Sequence, residues 1–536
     1  MYKEATFMGS KKLQVWLPLL LAGMMVVGMV IGYELKSKTT GRAFITLSKK
    51  SSIQEVMDLV KARYVDDVKF DSINQIVIDD VLAHLDPHSV YIPAEDVTQV
   101  NDQLAGNFQG IGVEFQQFND TVNVTNVIKD GPSDKAGILV GDKIIKANDS
   151  IGLTGKKIKP DDIRKQLRGE ADSKVTLTIL RGTIVKKITI TRGNIPVPSI
   201  DAAYIIAPQT GYIRINKFGE RTYEEFMQNL EKLQKDSIDN LIIDLRGNGG
   251  GLLSEATAIA DEFLSDDKLI VYTLGNHVPR YEYRCKRDGI FEKGKLVVLV
   301  DETSASASEV LSGALQDWDR ATIIGRRTYG KGLVQQQFQL SDGSAVRLTI
   351  ARYYTPLGRS VQKPYNNKSK HDYDTELLHR FEDGEVVTAD STLPKGKPYK
   401  TPKGHIVFGG GGITPDVFIP YDTTKLPSAV LNMYYKNTLS SFVYQYYISN
   451  KQLFRNTTNA NMFNQQFTPT ESDWQALSSY AVKDSIVLQT IDVKSKADLL
   501  ARFKVLLARQ LFRTQGYYQV QNSNDTIVKK ALQILK

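Results

Sequence analysis

The chain has 536 residues, enough for three or four domains at about 100–200 residues each. Hydrophobic residues make up 41% and charged residues 24%, ordinary globular values that exclude a largely disordered chain and a polytopic membrane protein. Lys and Arg number 68 against 60 Asp and Glu; a net charge of +8 is mild at this length, no dense basic block occurs, and nucleic-acid binding is not expected. The single cysteine, Cys285, excludes an internal disulfide and Cys-based zinc or iron–sulfur sites. The six histidines (His84, His88, His277, His371, His379 and His405) nowhere show a metal-ligand spacing such as H-x-x-x-H, so no metal and no other cofactor is expected.

Residues 1–12 carry Lys3, Lys11 and Lys12 against Glu4, and residues 15–33 contain no charge. Nineteen uncharged residues are about enough to span a hydrocarbon core of roughly 30 Å. The run is longer than the usual apolar part of a signal peptide, and no A-x-A site follows closely. It reads as a signal anchor over 13–33, with a cytoplasmic N-terminus over 1–12. The alternative is a long cleaved signal peptide; both export the rest of the chain.

Residues 34–104 are expected to be a helical region, with 44–104 reading helical: Ile53, Val56, Met57 and Val60, then Ile73, Ile76 and Val77, fall at helical spacing. Ser51 and Ser52 are candidate caps, and Asp86-Pro87 ends the pattern. Over 105–193 the period changes: an alternating run at 121–127, a turn and short helix at 134–136, a strand at 143–147, a helix at 161–167 and strands at 174–180 and 185–191. Within a domain expected over 194–424, residues 200–360 alternate strands (210–217, 241–245, 296–301) with helices (222–235, 254–264, 307–315), which is an α/β order. In the same domain 366–405 is polar and reads as a loop or inserted excursion. Residues 425–536 turn helical again, most clearly over 497–513. The fold class expected is therefore multidomain α/β.

Three segments could carry chemistry. In Asp301-Glu302-Thr303-Ser304-Ala305-Ser306-Ala307-Ser308-Glu309 a buried strand ends in small residues and a helix begins, leaving unpaired N–H groups suited to an oxyanion. Ser306-x-x-Glu309 is equally a capping box, and on this segment alone capping outweighs catalysis. Three serines compete; Ser306 has alanines on both sides. A base is needed, and Lys331, between Gly330 and Gly332, could serve if burial made it neutral. Gln335, four residues on, shares its face if the chain is extended. Alone, a Gly-Lys-Gly is usually a solvated loop. The third segment, Arg246-Gly247-Asn248-Gly249-Gly250-Gly251-Leu252, is a glycine turn after a strand whose backbone N–H groups could hold an anion; it lacks both nucleotide-loop spacings.

Together and in this order, these segments resemble the S41 family of carboxyl-terminal processing peptidases. Three further stretches agree: His84-Leu85-Asp86-Pro87-His88-Ser89 with Tyr91, Gly110-Ile111-Gly112-Val113, and Gly410-Gly411-Gly412-Ile413-Thr414-Pro415-Asp416. The resemblance covers roughly 50–420. It implies an α/β protease core over 194–424, with Ser306 as nucleophile, Lys331 as general base and Gln335 orienting it. N–H groups of Ala307 and of Gly250 or Gly251 would form the oxyanion hole. Gly249 stands where the family often has proline. Residues 105–193 are similar to a PDZ domain, β-rich with two helices; Gly110, Ile111, Gly112 and Val113 would bind a terminal carboxylate while the tail adds as a strand.

The expectation is a serine-type endopeptidase with a Ser–Lys dyad. It would be anchored once in the inner membrane with its catalytic part in the periplasm or extracytoplasmic space, and would act on proteins or peptides with free, apolar C-termini. An adaptor protein or homo-oligomer stays open, as does the role of the helical extension at 425–536. Two rivals are a catalytically inactive PDZ scaffold and a PDZ-bearing Ser–His–Asp protease. The first is opposed by intact Ser306, Lys331 and Gln335. The second is opposed by the missing G-x-S-G turn; Asp86-Pro87-His88 reads as a helix-ending turn.

Overall fold

The apolar runs at the centre of the chain become strands buried on both faces. In the computed structural model, which describes residues 18, 21–31, 51–118, 120–155, 158–365, 370–388 and 396–536, they form a six-stranded sheet. Its order is Ile200–Ala207, Thr210–Ile215, Asn240–Asp244, Lys295–Val300, Thr322–Gly325 and Val417–Phe418. The first pair is antiparallel and the others are parallel. Alternate residues point to opposite faces. Ile243 and Val298 meet helices Thr222–Lys235, Leu253–Asp261 and Ala307–Asp317. Ile242, Val297 and Leu299 meet the last helix, Thr526–Leu535, through Val528 and Ala531. Covering both faces is what parallel strands require.

Beside it lies an antiparallel sheet that the sequence reading largely missed. Val90–Ile92, Ala345–Tyr354, Leu269–Leu274 and Tyr281–Arg284 are neighbours in that order, and Leu333–Gln339 also pairs with Ala345–Tyr354. The expected helical region contains helices Ser52–Arg63, Phe70–Ala83 and Ala94–Ala105, and Val90–Ile92, just past the expected break at Asp86-Pro87, is a strand. Val90, Tyr91 and Ile92 pair with Arg347, Val346 and Ala345. The expected excursion at 366–405 contains the helix Lys370–Glu382, anchored by Tyr373, which is 1% exposed.

The chain divides into two compact units, residues 1–77 and 78–536. In the first, Ser51 caps helix Ser52–Arg63 by accepting the Gln54 N–H at 3.3 Å. Of the expected anchor, residues 21–31 are helical and exposed, and most of its flanks lie outside the described residues. Among the described residues no helix is long and apolar enough to cross a membrane.

In the second unit, residues 107–196 form a separate β-rich module. Val113–Phe118, Thr121–Val127, Lys143–Ala147, Lys174–Arg181 and Ile184–Thr191 make its sheet, with helices Pro132–Lys135 and Pro160–Leu167. Asn107–Gly110 pairs with Gly193–Pro196 and closes its base. The C-terminal helices have their own core around Phe442, Phe463, Leu477 and Phe503. They also join the module to the protease-like sheet. On the module, Gln510 Nε2 donates to Thr125 O at 2.8 Å and Arg513 pairs with Glu114 at 2.7 Å. On the sheet, Arg246 pairs with Asp525 at 2.7 Å and Arg214 lies over Tyr518. The expected helix over 497–513 is part of Val493–Asn522, which kinks at Phe512 and Arg513, the latter at φ 63°.

Asp525 both caps the last helix (Ile527 N–H at 2.8 Å, Val528 N–H at 3.0 Å) and holds Arg246. Asp525→Ala is expected to lower stability by about 1–3 kcal/mol, combining a lost cap with a partly buried ion pair; a fall in thermal midpoint, compared with Asp525→Asn, checks it.

Candidate active site

The site forms where the parallel strands Asn240–Asp244 and Lys295–Val300 end side by side, the crevice position of α/β sheets. Asp244 is fully buried at the first of these ends. It accepts the Tyr212 hydroxyl at 2.6 Å and Arg246 Nη2 at 2.6 Å, and pairs with Arg214 at 3.0 Å. Burial works against its charge, but Arg246 and Arg214 hold its carboxyl well below the usual range. The glycine turn springs from this fixed point. Asn248, also fully buried, stitches it across the sheet: its Nδ2 donates to Ile215 O at 2.9 Å, and its carbonyl accepts Ala305 N–H at 3.0 Å and Ser308 Oγ–H at 2.9 Å.

The three competing serines are not equivalent. Ser304 is buried and donates to Leu245 O at 2.9 Å; Ser308 is buried and donates to Asn248 O. Ser306 is half-buried, and its hydroxyl donates to no group among the described residues. It is the N-cap of helix Ala307–Asp317 at φ 55°, ψ −115°, a conformation L-residues seldom adopt and one that surrounding contacts must hold.

Glu309 supplies much of that hold. Its buried carboxylate accepts the Ser306 N–H at 2.9 Å, which is the return half of the expected box. It also accepts Thr328 Oγ–H at 2.5 Å, Gly330 N–H at 2.7 Å and Lys331 N–H at 2.8 Å. Burial pushes its carboxyl upward against these four donors. The Tyr353 hydroxyl makes a second tie, to Ser306 O at 3.1 Å and to Lys331 O.

The serine and lysine segments, 25 residues apart, are thus brought together, although no hydrogen bond joins Ser306 Oγ to Lys331 Nζ in this structure. Lys331 Nζ donates to Gln335 Oε1 at 3.0 Å. Burial first, and the Arg347 charge second, lower the Lys331 pKa below the ordinary lysine value. Gln335 Nε2 donates to His88 O at 2.5 Å, which fixes which way its amide faces. The Asp86–Ser89 turn is therefore more than a helix end. Asp86 accepts His88 N–H at 2.8 Å and Ser89 Oγ–H at 2.6 Å, and Ser89 Oγ accepts Thr349 N–H at 3.1 Å. Sequence reasoning gave this turn, Glu309's bonds to the lysine loop and Tyr353 no part in the site. Glu309 left a signal as a capping residue, and the turn left one as part of the His84–Ser89 stretch that carries the family resemblance.

Gly250 and Gly251 have φ of 98° and 143°. A Cβ on Gly250 would lie 2.7 Å from both Ala305 O and Ser306 Cβ; one on Gly251 would lie 2.1 Å from Phe218 O. Gly250 N–H is engaged by Asn248 Oδ1 at 2.8 Å. Among the described residues no hydrogen bond takes the N–H of Gly251 or of Ala307.

In the β-rich module, Gly112 has φ 74° and Ile111 is 2% exposed within the module's core, so Ile111 fills the interior rather than flanking an open pocket. The carbonyls of Ile111 and Gly112 accept Ser133 and Ile128 N–H groups, while no hydrogen bond takes their own N–H groups among the described residues. Gly110 ends the strand paired with Gly193–Pro196, and Val113 begins a strand at the sheet's edge.

Comparison with known proteins agrees with this architecture. Peptidase family S41 matches residues 209–370, the PDZ domain matches 109–191, and a family of unknown function matches 430–513. A carboxy-terminal-processing protease of Bartonella bacilliformis is 35% identical over 339 residues, 61% of this chain and 76% of that one. A probable CtpA-like serine protease of Staphylococcus aureus is 34% identical over 339 residues, 63% and 67% of the two chains. A solved photosystem II D1 C-terminal processing protease is 27% identical, covering 69% and 87%, with a TM-score of 0.36. The chain is a PDZ-bearing serine peptidase. It belongs to peptidase family S41.

Because a side chain at Gly250 would push directly on Ser306, Gly250→Ala is expected to cut kcat by about 100-fold or more. Steady-state kinetics beside an unchanged circular dichroism spectrum check this.

Proposed function

We propose that this chain is a carboxyl-terminal processing endopeptidase with a Ser306–Lys331 dyad. The observation that carries the assignment is the difference among the serines: Ser304 and Ser308 give their hydroxyls to buried carbonyls, while Ser306, tied through Glu309 to the Lys331 loop, keeps its own. The neutral Lys331 amine takes the Ser306 proton as Oγ attacks the substrate carbonyl carbon. The resulting oxyanion is held by the N–H groups of Ala307 and Gly251, since Gly250 N–H is already engaged. The C–N bond then breaks, the Lys331 ammonium returns its proton to the leaving amine, and water activated by the same lysine hydrolyses the acyl-enzyme. Gln335, held by His88 O, keeps the amine aimed.

The substrate enters through its end. A terminal carboxylate sits on the free N–H groups of the 110–113 loop, and the tail adds as a strand beside Val113–Phe118. Residues 13–33 anchor the chain in the inner membrane, with the catalytic part on the extracytoplasmic side. The inactive-scaffold alternative finds no support.

Ser306→Ala is expected to lower kcat roughly 10^4-fold or more, and Lys331→Ala roughly 10^2–10^4-fold, with folding retained. Lys331→Arg should be as inactive, because arginine does not deprotonate. Wild-type turnover by Ser306→Ala would refute the nucleophile.

A base with a depressed pKa is charged at low pH and becomes competent as pH rises through that value. The rate should therefore climb through one ionisation below the ordinary lysine value of about 10.4 and be lost on the acid side. Chelators should change nothing; zinc-restored loss on EDTA treatment would sink the mechanism.

Amidating the C-terminus of a peptide substrate should weaken its binding to the PDZ domain about tenfold or more, read by calorimetry, because the 110–113 loop loses its anion.

A further inference from the structure

Buried charges are normally paired, and the arginines around this site obey. Arg326 meets Glu302 at 2.6 Å, Arg327 meets Glu385 at 2.6 Å, and Arg359 meets Asp317 at 2.5 Å. Arg347 does not. It is half-buried in strand Ala345–Tyr354, and its one hydrogen bond is from Nη2 to the neutral Gln337 Oε1 at 3.1 Å. No carboxylate lies within ion-pair distance of it among the described residues, and its remaining donors are not sealed from solvent.

Its position is set by register. Gln335 is directly opposite Thr349 and Gln337 directly opposite Arg347, so these four side chains share one face of the hairpin. Lys331 joins that face through its bond to Gln335. Arg347 therefore stands one cross-strand pair beyond the Gln335–Lys331 bond, about 7 Å along the strand, or two residues of an extended peptide. Helix Ala94–Ala105 closes the far end of the face, where Val97 and Val100 pack on Ile92 and Ala345.

We infer that Arg347 is a specificity-determining residue that binds a substrate carboxylate about two residues from the scissile bond. This rests on the Ser306–Lys331 reading. A guanidinium with free donors offers a two-point match to a carboxylate, and a desolvated site makes that pair stronger than a solvated one. Burial also lowers the Arg347 pKa, as expected of a charge still lacking its counter-ion. The carboxylate has two sources: an acidic side chain, or the terminal carboxylate when cleavage falls near the chain end.

The test is kcat/KM for matched peptides on wild type, Arg347→Gln and Arg347→Lys. One series places Glu or Gln at each position within three residues of the cleaved bond. A second compares free and amidated ends at the same distance; PDZ binding of the terminus is common to all three proteins and cancels in their ratio. Wild type should prefer the carboxylate peptide about tenfold or more in one series, mainly through KM. Arg347→Gln should erase that preference by slowing the carboxylate peptide alone, and Arg347→Lys should restore part of it. The series that responds names the source. Equal loss on charged and neutral peptides, with the pH profile moved toward base, would mean that Arg347 acts only on Lys331 and would overturn the inference. No preference in wild type would overturn it too. Either failure leaves the dyad standing so long as Ser306→Ala is inactive.

Discussion

The Glu309 carboxylate is the interaction on which the rest of the site depends. One buried group accepts N–H bonds from Ser306, Gly330 and Lys331 and a hydroxyl from Thr328. It thereby fixes the start of a helix and the loop after a strand to one another. Leaving any of those donors unpaired in the interior costs about 1–3 kcal/mol, so the four bonds make the relative position of serine and lysine rigid. Ser306 can then be held at φ 55°, ψ −115°, because the strain at one residue is small beside the bonds that impose it.

A second fixed point lies at Asp244, which balances two arginines and a tyrosine at the base of the glycine turn. Arg246 of that turn also reaches Asp525, so the C-terminal helices bear on the glycine turn. The same helices hold the PDZ domain through Gln510, Arg513 and the Tyr444 hydroxyl on Val124 O. A PDZ domain that moves when a tail binds has to break these contacts or carry the C-terminal helices with it. The kink at Phe512 and Arg513 falls in the segment between the two attachments. This gives the extension at 425–536 a physical place in the molecule: it joins the PDZ domain to the glycine turn beside Ser306.

Much of this was legible in the chain. The strands of the α/β core show as apolar runs because they are buried on both faces, and helix Thr222–Lys235 shows its period because one face is wet. The PDZ strand Lys174–Arg181 alternates for the same reason. The three motifs around Gly250, Ser306 and Lys331 carry residue types that their backbone demands: glycines at φ 98° and 143°, and small residues around a strained N-cap. Local physics selects such residues, so they are visible without a partner.

What stayed hidden was pairing at long range. Val90–Ile92 is three residues long and gains its identity as a strand only from Ala345–Tyr354, some 250 positions away. Tyr373 sits in a polar stretch whose burial depends on His88 and Gln362. Nothing near Tyr353 in sequence says that its hydroxyl will lie between two carbonyls of the site. The choice among Ser304, Ser306 and Ser308 has the same character. Their sequence surroundings are nearly identical, and what separates them is which hydroxyls meet carbonyls of the neighbouring glycine turn. Periodicity and turn chemistry act over a few residues and are written in the chain. Hydrogen-bond partners across a sheet are set by how distant segments close, and that is what bonded Lys331 to Gln335 and left Ser306, of the three serines, with a hydroxyl that meets no carbonyl.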